Sequence, residues 1–306
     1  MRILITGGAG YLGHSLIQEL QRKQPADLEE IVVYDNLSRK SYAFFYWHKL
    51  GPIPCRFIEA DLLDERSLMK ALEGIDTVVH LAAKVTTPFA DHESHFYDQI
   101  NHWGTAILAN CIQGSAVRRV VHMSSASIYG RSDTPVDEDH IPSPFSFYGI
   151  SKRDAEKQIN LIGNQCDLYI LRAGNVYGFN PSLRIDAVIN KYMFNAHFNG
   201  RITLNGDGSQ QRPFIHVDKL AWATCHCLAG LVLPGVYNVL EHNYSVNQIV
   251  AYIKHLYQAL EVLSINPNVP MPRVSVKTPA RIWQQVPLPD RSFLEELQDF
   301  KAAFAF

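Results

Sequence analysis

The residues best equipped for chemistry in this sequence are Tyr148 and Lys152. They stand four apart at the start of a stretch with helical spacing, which puts both side chains on one helix face. A free tyrosine, with a pKa of about 10, is a poor base at neutral pH. A neighbouring ammonium favours the phenolate, and an oxidised nicotinamide would add a second positive charge. Such a pair can take a proton from a substrate hydroxyl while hydride leaves the same carbon. The spacing alone also fits a solvated helix face. It gains meaning beside Ser124-Ser125-Ala126-Ser127, which follows an apolar run beginning at Arg119. A serine hydroxyl there could hydrogen-bond the reacting oxygen, although serines after a strand are also routine turn residues.

A dinucleotide site is spelled out at the other end of the chain. Thr6-Gly7-Gly8-Ala9-Gly10-Tyr11-Leu12-Gly13 lies between an apolar run and a helical pattern. Gly8, Gly10 and Gly13 satisfy G-x-G-x-x-G, and Gly7, Gly10 and Gly13 satisfy G-x-x-G-x-x-G. Glycine is needed because the backbone must turn tightly and approach a pyrophosphate with no Cβ in the way. The helix start then offers free N–H groups to the phosphates. Asp35 ends the second apolar run, 22 residues after Gly13, near the interval expected for the acid that accepts a ribose 2′-hydroxyl. That favours NAD, while Arg39 and Lys40 keep NADP open. Asp61-Leu62 ends the third run, where a carboxylate could receive an adenine amino group or, like Asp64, cap a helix.

The elements that must position these groups follow from hydrophobic patterning. Apolar runs without polar alternation occur at 2–6, 30–35, 56–61, 77–83, 119–124 and 168–172, separated by helical patterns. That order predicts an α/β fold, a Rossmann-type doubly wound parallel sheet covered on both faces. Ligands of such sheets sit at the carboxyl ends of the strands, where the notable residues repeatedly fall. After residue 174 the pattern loosens, and prolines at 267, 270, 272, 279, 287 and 289 break up the end. The reading is a dinucleotide-binding domain at 1–174 and a smaller C-terminal substrate-binding region at 175–306, partly interleaved, with 206–240 able to return to the first domain. The aromatic run Tyr42–His48 is read as a helix packed on the body or as a contact surface.

Composition removes several function classes. The 306 residues are 47% hydrophobic and 19% charged, as in an ordinary globular protein, and the net charge of -2 offers no field for nucleic acid or anionic lipid. Five cysteines, an odd and small number, argue against a disulfide framework. Cys225 and Cys227 form a C-x-C pair within a helical stretch, read as buried thiols rather than a metal site. No apolar stretch is long enough to span a membrane and no signal-peptide pattern opens the chain, so a cytoplasmic protein without metal is expected.

With these motifs in place, the sequence resembles the extended short-chain dehydrogenase/reductase family, in its NAD-dependent epimerase/dehydratase branch. The resemblance runs from Met1 to about Asn247. It rests on TGGAGYLG at 6–13, YDNLS at 34–38, DLLD at 61–64, HLAA at 80–83 and SSASIYG at 124–130. YGISK at 148–152, LRAGNVYG at 171–178 and GDGSQQRPFIHVDK at 206–219 complete it. The resemblance implies Ser125 as the polarising hydroxyl, Tyr148 as the base and Lys152 as its activator and a holder of the nicotinamide ribose. It implies cofactor contacts from Gly7, Gly10, Tyr11, Leu12, Gly13, Asp35, Asn36, Asp61 and Leu62. Further cofactor contacts would come from Leu81, Ala82, Ala83 and Asn101.

Substrate contacts implied in the same way are Ser125, Ser127, Asn175 and Arg212, the last two at a diphosphate. A guanidinium fork suits paired phosphate oxygens, although Arg212 also fits a surface ion pair. Dehydratases and decarboxylases of the family carry carboxylates just after the active-site hydroxyl, where this chain has Ala126 and Ser127. The expectation is therefore a nucleotide-sugar epimerase of the 4-epimerase type, with NAD bound throughout. The alternatives are a reductase or dehydrogenase and a non-catalytic dinucleotide sensor. Near the end, Leu288-Pro-Asp-Arg291 only partly matches the family pattern that closes the substrate site. A homodimer is expected through helices near 96–112 and 148–163, with Leu108, Ile112, Ile159 and Ile162 as apolar material, although buried contact with the sheet explains these four equally well.

Overall fold

The computed structural model describes residues 1–47, 51–85, 94–266 and 273–304. Pro267, Pro270 and Pro272, and His48 of the aromatic run, lie outside the described residues. The apolar runs become β1 (Arg2–Thr6), β2 (Glu30–Asp35), β3 (Cys55–Glu59), β4 (Thr77–His80), β5 (Arg119–Ser125) and β6 (Asp167–Ala173). Between them run α1 (Tyr11–Lys23), α2 (Ala43–Trp47), α3 (Glu65–Ala71), α4 (Ser94–Tyr97), α5 (Gly104–Gln113) and α6 (Phe147–Ile159). Asp64, not Asp61, caps α3, accepting from Ser67 N at 3.1 Å. The helix expected near 96–112 carries a π turn over Asp98–Trp103, between α4 and α5.

The second half supplies β7 (Asn175–Tyr177), α7 (Val188–Asn199), β8 (Arg201–Asn205), β9 (Gln211–His216) and α8 (Val217–Leu228). It continues with β10 (Gly235–Val239), β11 (His242–Ser245), α9 (Val246–Leu256), β12 (Glu261–Ile265) and α10 (Phe293–Ala302). The main sheet has seven strands in the order β10-β6-β5-β4-β1-β2-β3, every pair parallel. This is the Rossmann-type doubly wound arrangement. Strand β10, from within the 206–240 stretch, lies beside β6, and α8 packs against α1.

Alternation along each strand feeds two cores. Ile3 and Ile5 face one side with Leu16, Ile17 and Leu220, while Leu4 faces the other with Leu68, Leu108 and Ile159. Each fully buried aliphatic chain contributes about 1.5–3 kcal/mol, which holds the sheet between its helices. Leu108, Ile112, Ile159 and Ile162 are spent here, at 0–2% exposure, and so are not dimer-forming material. Phe44 of the aromatic run packs against Phe57, whereas Phe45 and Tyr46 remain exposed.

The second lobe has its own core, where α7, α9 and α10 surround Tyr177, Met193, Phe214, Ile253 and Phe300. Two smaller sheets, β11-β9-β7 and β12-β8, complete it. Buried Lys219 draws α10 inward through Glu241 Oε2 at 2.6 Å and Glu296 Oε1 at 2.9 Å, and donates to the Arg291 carbonyl at 2.7 Å. The Arg291 guanidinium pairs with Asp299, so the late partial motif serves helix packing.

The lobes are joined beside the glycine turn. Tyr11 Oη donates to the Gly178 carbonyl at 2.7 Å, and Asn180 Nδ2 donates to the Tyr11 carbonyl at 2.9 Å. Tyr11→Phe leaves a buried carbonyl unpartnered and is expected to cost about 1–3 kcal/mol. Equilibrium urea unfolding measures this, and an unchanged midpoint would show that the bond adds nothing to stability.

Candidate active site

The carboxyl ends of β1, β2, β4, β5 and β6 open onto one cleft of about 1220 Å³, bounded on the far side by the second lobe. Its floor begins at the glycine turn. Gly7 has φ +70°, and a Cβ there would stand 2.6 Å from Ala82 N, so the turn lies directly on the chain leaving β4. Gly13 packs beneath the turn, where a Cβ would meet Gly8 O at 2.3 Å. Helix α1 then begins with no side-chain cap and no acid in its first turn. Its free N–H groups and positive end therefore face the cleft, as an anion requires.

Asp35, at the end of β2, lies beside this turn and lines the cleft. Its Oδ2 accepts from Ala9 N at 3.1 Å and its Oδ1 from Leu37 N at 2.8 Å, and burial raises its pKa above the usual value. Asp61 accepts from Asn36 Nδ2 at 2.8 Å and from Leu63 N at 2.9 Å. These are the donors and acceptors that a dinucleotide fits: open N–H groups at its phosphates and carboxylates at its sugar and base. Arg39, four residues beyond Asp35, is engaged by Asp186 of the second lobe at 3.1 Å.

The reactive end is assembled by β5 and α6. Ser146 caps α6 by accepting from Gly149 N at 3.1 Å, which fixes the helix start two residues before Tyr148. Gly149 is required there, since a Cβ would stand 2.6 Å from the Ser127 carbonyl. Tyr97 sits edge-on to the Tyr148 ring at 6.0 Å. Burial raises the Tyr148 pKa, while the positive charge of Arg184 and the neighbouring Ser125 hydroxyl pull the other way. Ser125 Oγ also donates to Ser127 Oγ at 3.0 Å.

Lys152 is 5% exposed and donates from Nζ to the Met123 carbonyl at 2.7 Å. Burial lowers its pKa to about 8, and the Glu156 carboxylate opposes that fall. His80 and His122 lie close enough for its charge to act on them, with ring centroids 5.2 Å apart. Burial first, and Lys152 second, bring His80 down to about 3 and His122 well below its ordinary range. Both rings are therefore neutral and add no repulsion. Below them, Glu156 receives Arg172 Nε at 3.0 Å and Nη2 at 2.8 Å, and Ser124 Oγ at 2.5 Å.

Every residue read from sequence as a site residue lines the cleft except Gly13 and Asn101. Gly13 supports the turn from behind. Asn101, on the π turn, is 1% exposed and spends its amide on Lys84 N and O, at 2.8 and 2.9 Å, and on Ser151 Oγ at 3.0 Å. It thus holds the chain after β4 against α6. Asn175 lines the cleft and donates to the Pro213 carbonyl at 3.1 Å. Arg212 is no surface ion pair: among the described residues no carboxylate meets it, and burial lowers its pKa while Tyr192 acts against this. A desolvated guanidinium facing a cleft is suited to a phosphate group.

Sequence reasoning missed Arg184 and Asp186, which line the cleft from the segment before α7. No spacing rule marks that segment. It also missed the Glu156–Arg172 pair, although a signal existed: an arginine inside the apolar run 168–172 needs a buried partner. The C-x-C thiols are free and buried, and no group of metal ligands occurs among the described residues. Nor is any described helix long and apolar enough to cross a membrane.

A phosphate cradle with a Tyr–Lys pair at the carboxyl edge of a parallel sheet defines a dinucleotide-dependent enzyme class. The NAD dependent epimerase/dehydratase family matches residues 3–239, and the chain belongs to it, with NAD as cofactor. Its curated relatives include a UDP-glucose 4-epimerase of Mycolicibacterium smegmatis, 31% identical, with 72% of this chain and 71% of that protein aligned. A dTDP-D-glucose 4,6-dehydratase of Mus musculus is 27% identical, covering 85% of this chain and 73% of the relative. Among solved structures, MoeE5 in complex with UDP-glucose and NAD has a TM-score of 0.83 at 26% identity, covering 99% of this chain and 98% of that one.

Gly7→Ala places a side chain both at positive φ and against Ala82. It is expected to weaken NAD binding by about tenfold or more while the far-ultraviolet circular dichroism is preserved. Calorimetric titration with NAD decides this, and wild-type affinity would show that the turn does not carry the cofactor.

Proposed function

We propose that this chain is a NAD-dependent nucleotide-sugar epimerase that oxidises and re-reduces one carbinol carbon, in the manner of a 4-epimerase. The observation that carries this reading is the make-up of the reactive end. Tyr148 and Lys152 line it as its proton-transfer groups, Ser125 lines it beside them, and the residues that follow are Ala126 and Ser127. Among the described residues the acids lining the cleft are Asp35, Asp61 and Asp186. The first two belong to the adenosine end, and Asp186 is held by Arg39 and Arg184. A dehydratase must move protons at neighbouring carbons, and no described carboxylate stands where it could do so.

Chemistry at a single carbon asks for less. One group must take and return a hydroxyl proton, and a phenol supported by an ammonium suffices. Bound NAD supplies a reversible two-electron acceptor. Ser125 orients the reacting oxygen, and Lys152 holds the tyrosine's charge. Arg212 and Asn175 hold the diphosphate at the opposite wall. The UDP-glucose and NAD bound by MoeE5, and the epimerase activity named for the mycobacterial relative, support this choice. We also propose a homodimer, now through the exposed Trp103 and Leu161, which lie along the helices expected to pair.

Purified protein incubated with UDP-, dTDP- and GDP-sugars is expected to form an epimer without net change in NADH. A 4-keto-6-deoxy product, or NADH oxidised in proportion to a keto substrate, would replace the epimerase reading with a dehydratase or a reductase. Tyr148→Phe is expected to lower turnover by about 10²- to 10⁴-fold while NAD still binds. Undiminished turnover would remove Tyr148 from the reaction. Arg212→Leu is expected to raise KM by about tenfold or more, with a smaller effect on kcat, and an unchanged KM would place the diphosphate elsewhere.

A further inference from the structure

The Tyr–Lys pair is the visible part of a longer stripe on α6. Tyr148, Lys152 and Glu156 follow at successive four-residue steps, so the three side chains share one helix face. Glu156 is 6% exposed and points into the sheet instead of the cleft. Its carboxylate takes Arg172 of β6 in a two-pronged pair and Ser124 of β5 through Oγ at 2.5 Å. Ser124 is flanked by the two β5 residues that the reactive groups use. On one side is Met123, whose carbonyl receives Lys152; on the other is Ser125, which lines the cleft with Tyr148. Arg172 is fixed in turn, donating from Nη1 to Tyr129 Oη and to the Glu138 carbonyl, both at 3.0 Å.

We propose that Glu156 is a positioning residue for the reaction: it clamps α6 to the ends of β5 and β6 and keeps Lys152 charged where water is excluded. This rests on the reading of Tyr148 and Lys152 as the proton-transfer pair. A carboxylate one helical turn behind a buried ammonium stabilises its charged form. The groups around Lys152 leave this task to Glu156. From β5 come the Met123 carbonyl and His122, from β4 comes His80, and both rings are neutral. On α6 itself Tyr148 stands one turn before Lys152, and Arg172 of β6 pairs with Glu156. A role confined to holding the fold would make Glu156 matter for stability alone. The clamp proposed here also sets the proton affinity of Lys152.

The test is a pH titration of NAD-loaded protein labelled with ¹⁵N at the lysine side chains, with the Lys152 resonance identified by its loss in Lys152→Met. Glu156→Gln is expected to lower the Lys152 midpoint by about one unit. Glu156→Asp should recover part of that shift, and Ser124→Ala, which removes no charge, should leave the midpoint in place. A midpoint in Glu156→Gln equal to that of the unmodified protein overturns the proposal. Should Glu156→Gln fail to fold because Arg172 is stranded, Glu156→Gln with Arg172→Met removes both buried charges. Both charges vanish together there, so the decisive fallback is Glu156→Asp, which keeps Arg172 paired and withdraws the carboxylate by one methylene: a smaller downward shift is expected, and its absence overturns the proposal. The readout needs no turnover, so a chain that epimerises no sugar but shows the shift keeps this inference and loses only the functional reading.

Discussion

The constraint that organises this protein is the burial of one lysine, Lys152, between α6 and the end of β5. Among the described residues its ammonium donates to the Met123 carbonyl, and burial alone drives it toward neutrality. The surroundings answer in two ways. An acid lies behind it on the same helix, and the two imidazoles beneath are kept uncharged by their own burial. His80 is further pinned between Thr6 Oγ1 at 2.7 Å and Thr105 Oγ1 at 2.9 Å, so one ring ties β1, β4 and α5 together below the reactive groups. The core beneath the site is thus polar in places, with His80 anchored to β1 and α5 and Glu156 to β5 and β6.

Charge is also divided along the cleft. The lining holds Asp35 and Asp61 from the ends of β2 and β3, and Arg184, Arg212 and Arg273 from the second half of the chain. The Arg39–Asp186 pair links the segment after β2 to the segment before α7.

Much of this could be read before any coordinates. The six apolar runs, the glycine turn, Asp35 and the Tyr148–Lys152 spacing are local patterns, and local patterns survive in a linear sequence. The sheet and the reactive end followed from them. What could not be read depends on packing between distant segments. Asn101 was expected to touch the cofactor, but the π turn rotates it onto Lys84 and Ser151. Leu108, Ile112, Ile159 and Ile162 were open to both dimer and sheet contact, because a helix with apolar residues on two sides gives no sign of which side meets the sheet, and the structure buries them in the core. Arg184 and Asp186 sit in an irregular segment whose course is set by α7 and by Asn190, which accepts from Gly178 N at 3.0 Å. Glu156 was overlooked because its partner Arg172 arrives from the next strand.

Tyr11 has a double allegiance. Its backbone opens the helix that receives the pyrophosphate, and its phenol ends 167 residues further along the chain, on Gly178. Cofactor docking and the posture of the far lobe therefore belong to one mechanical linkage, so that a tilt of either is felt by the other. A fragment cut at residue 174 would carry every strand of the nucleotide half but β10, and it would also lack the anchor that aims its first helix. Transplanting that half onto another scaffold would need a substitute for Gly178 as much as for the missing strand.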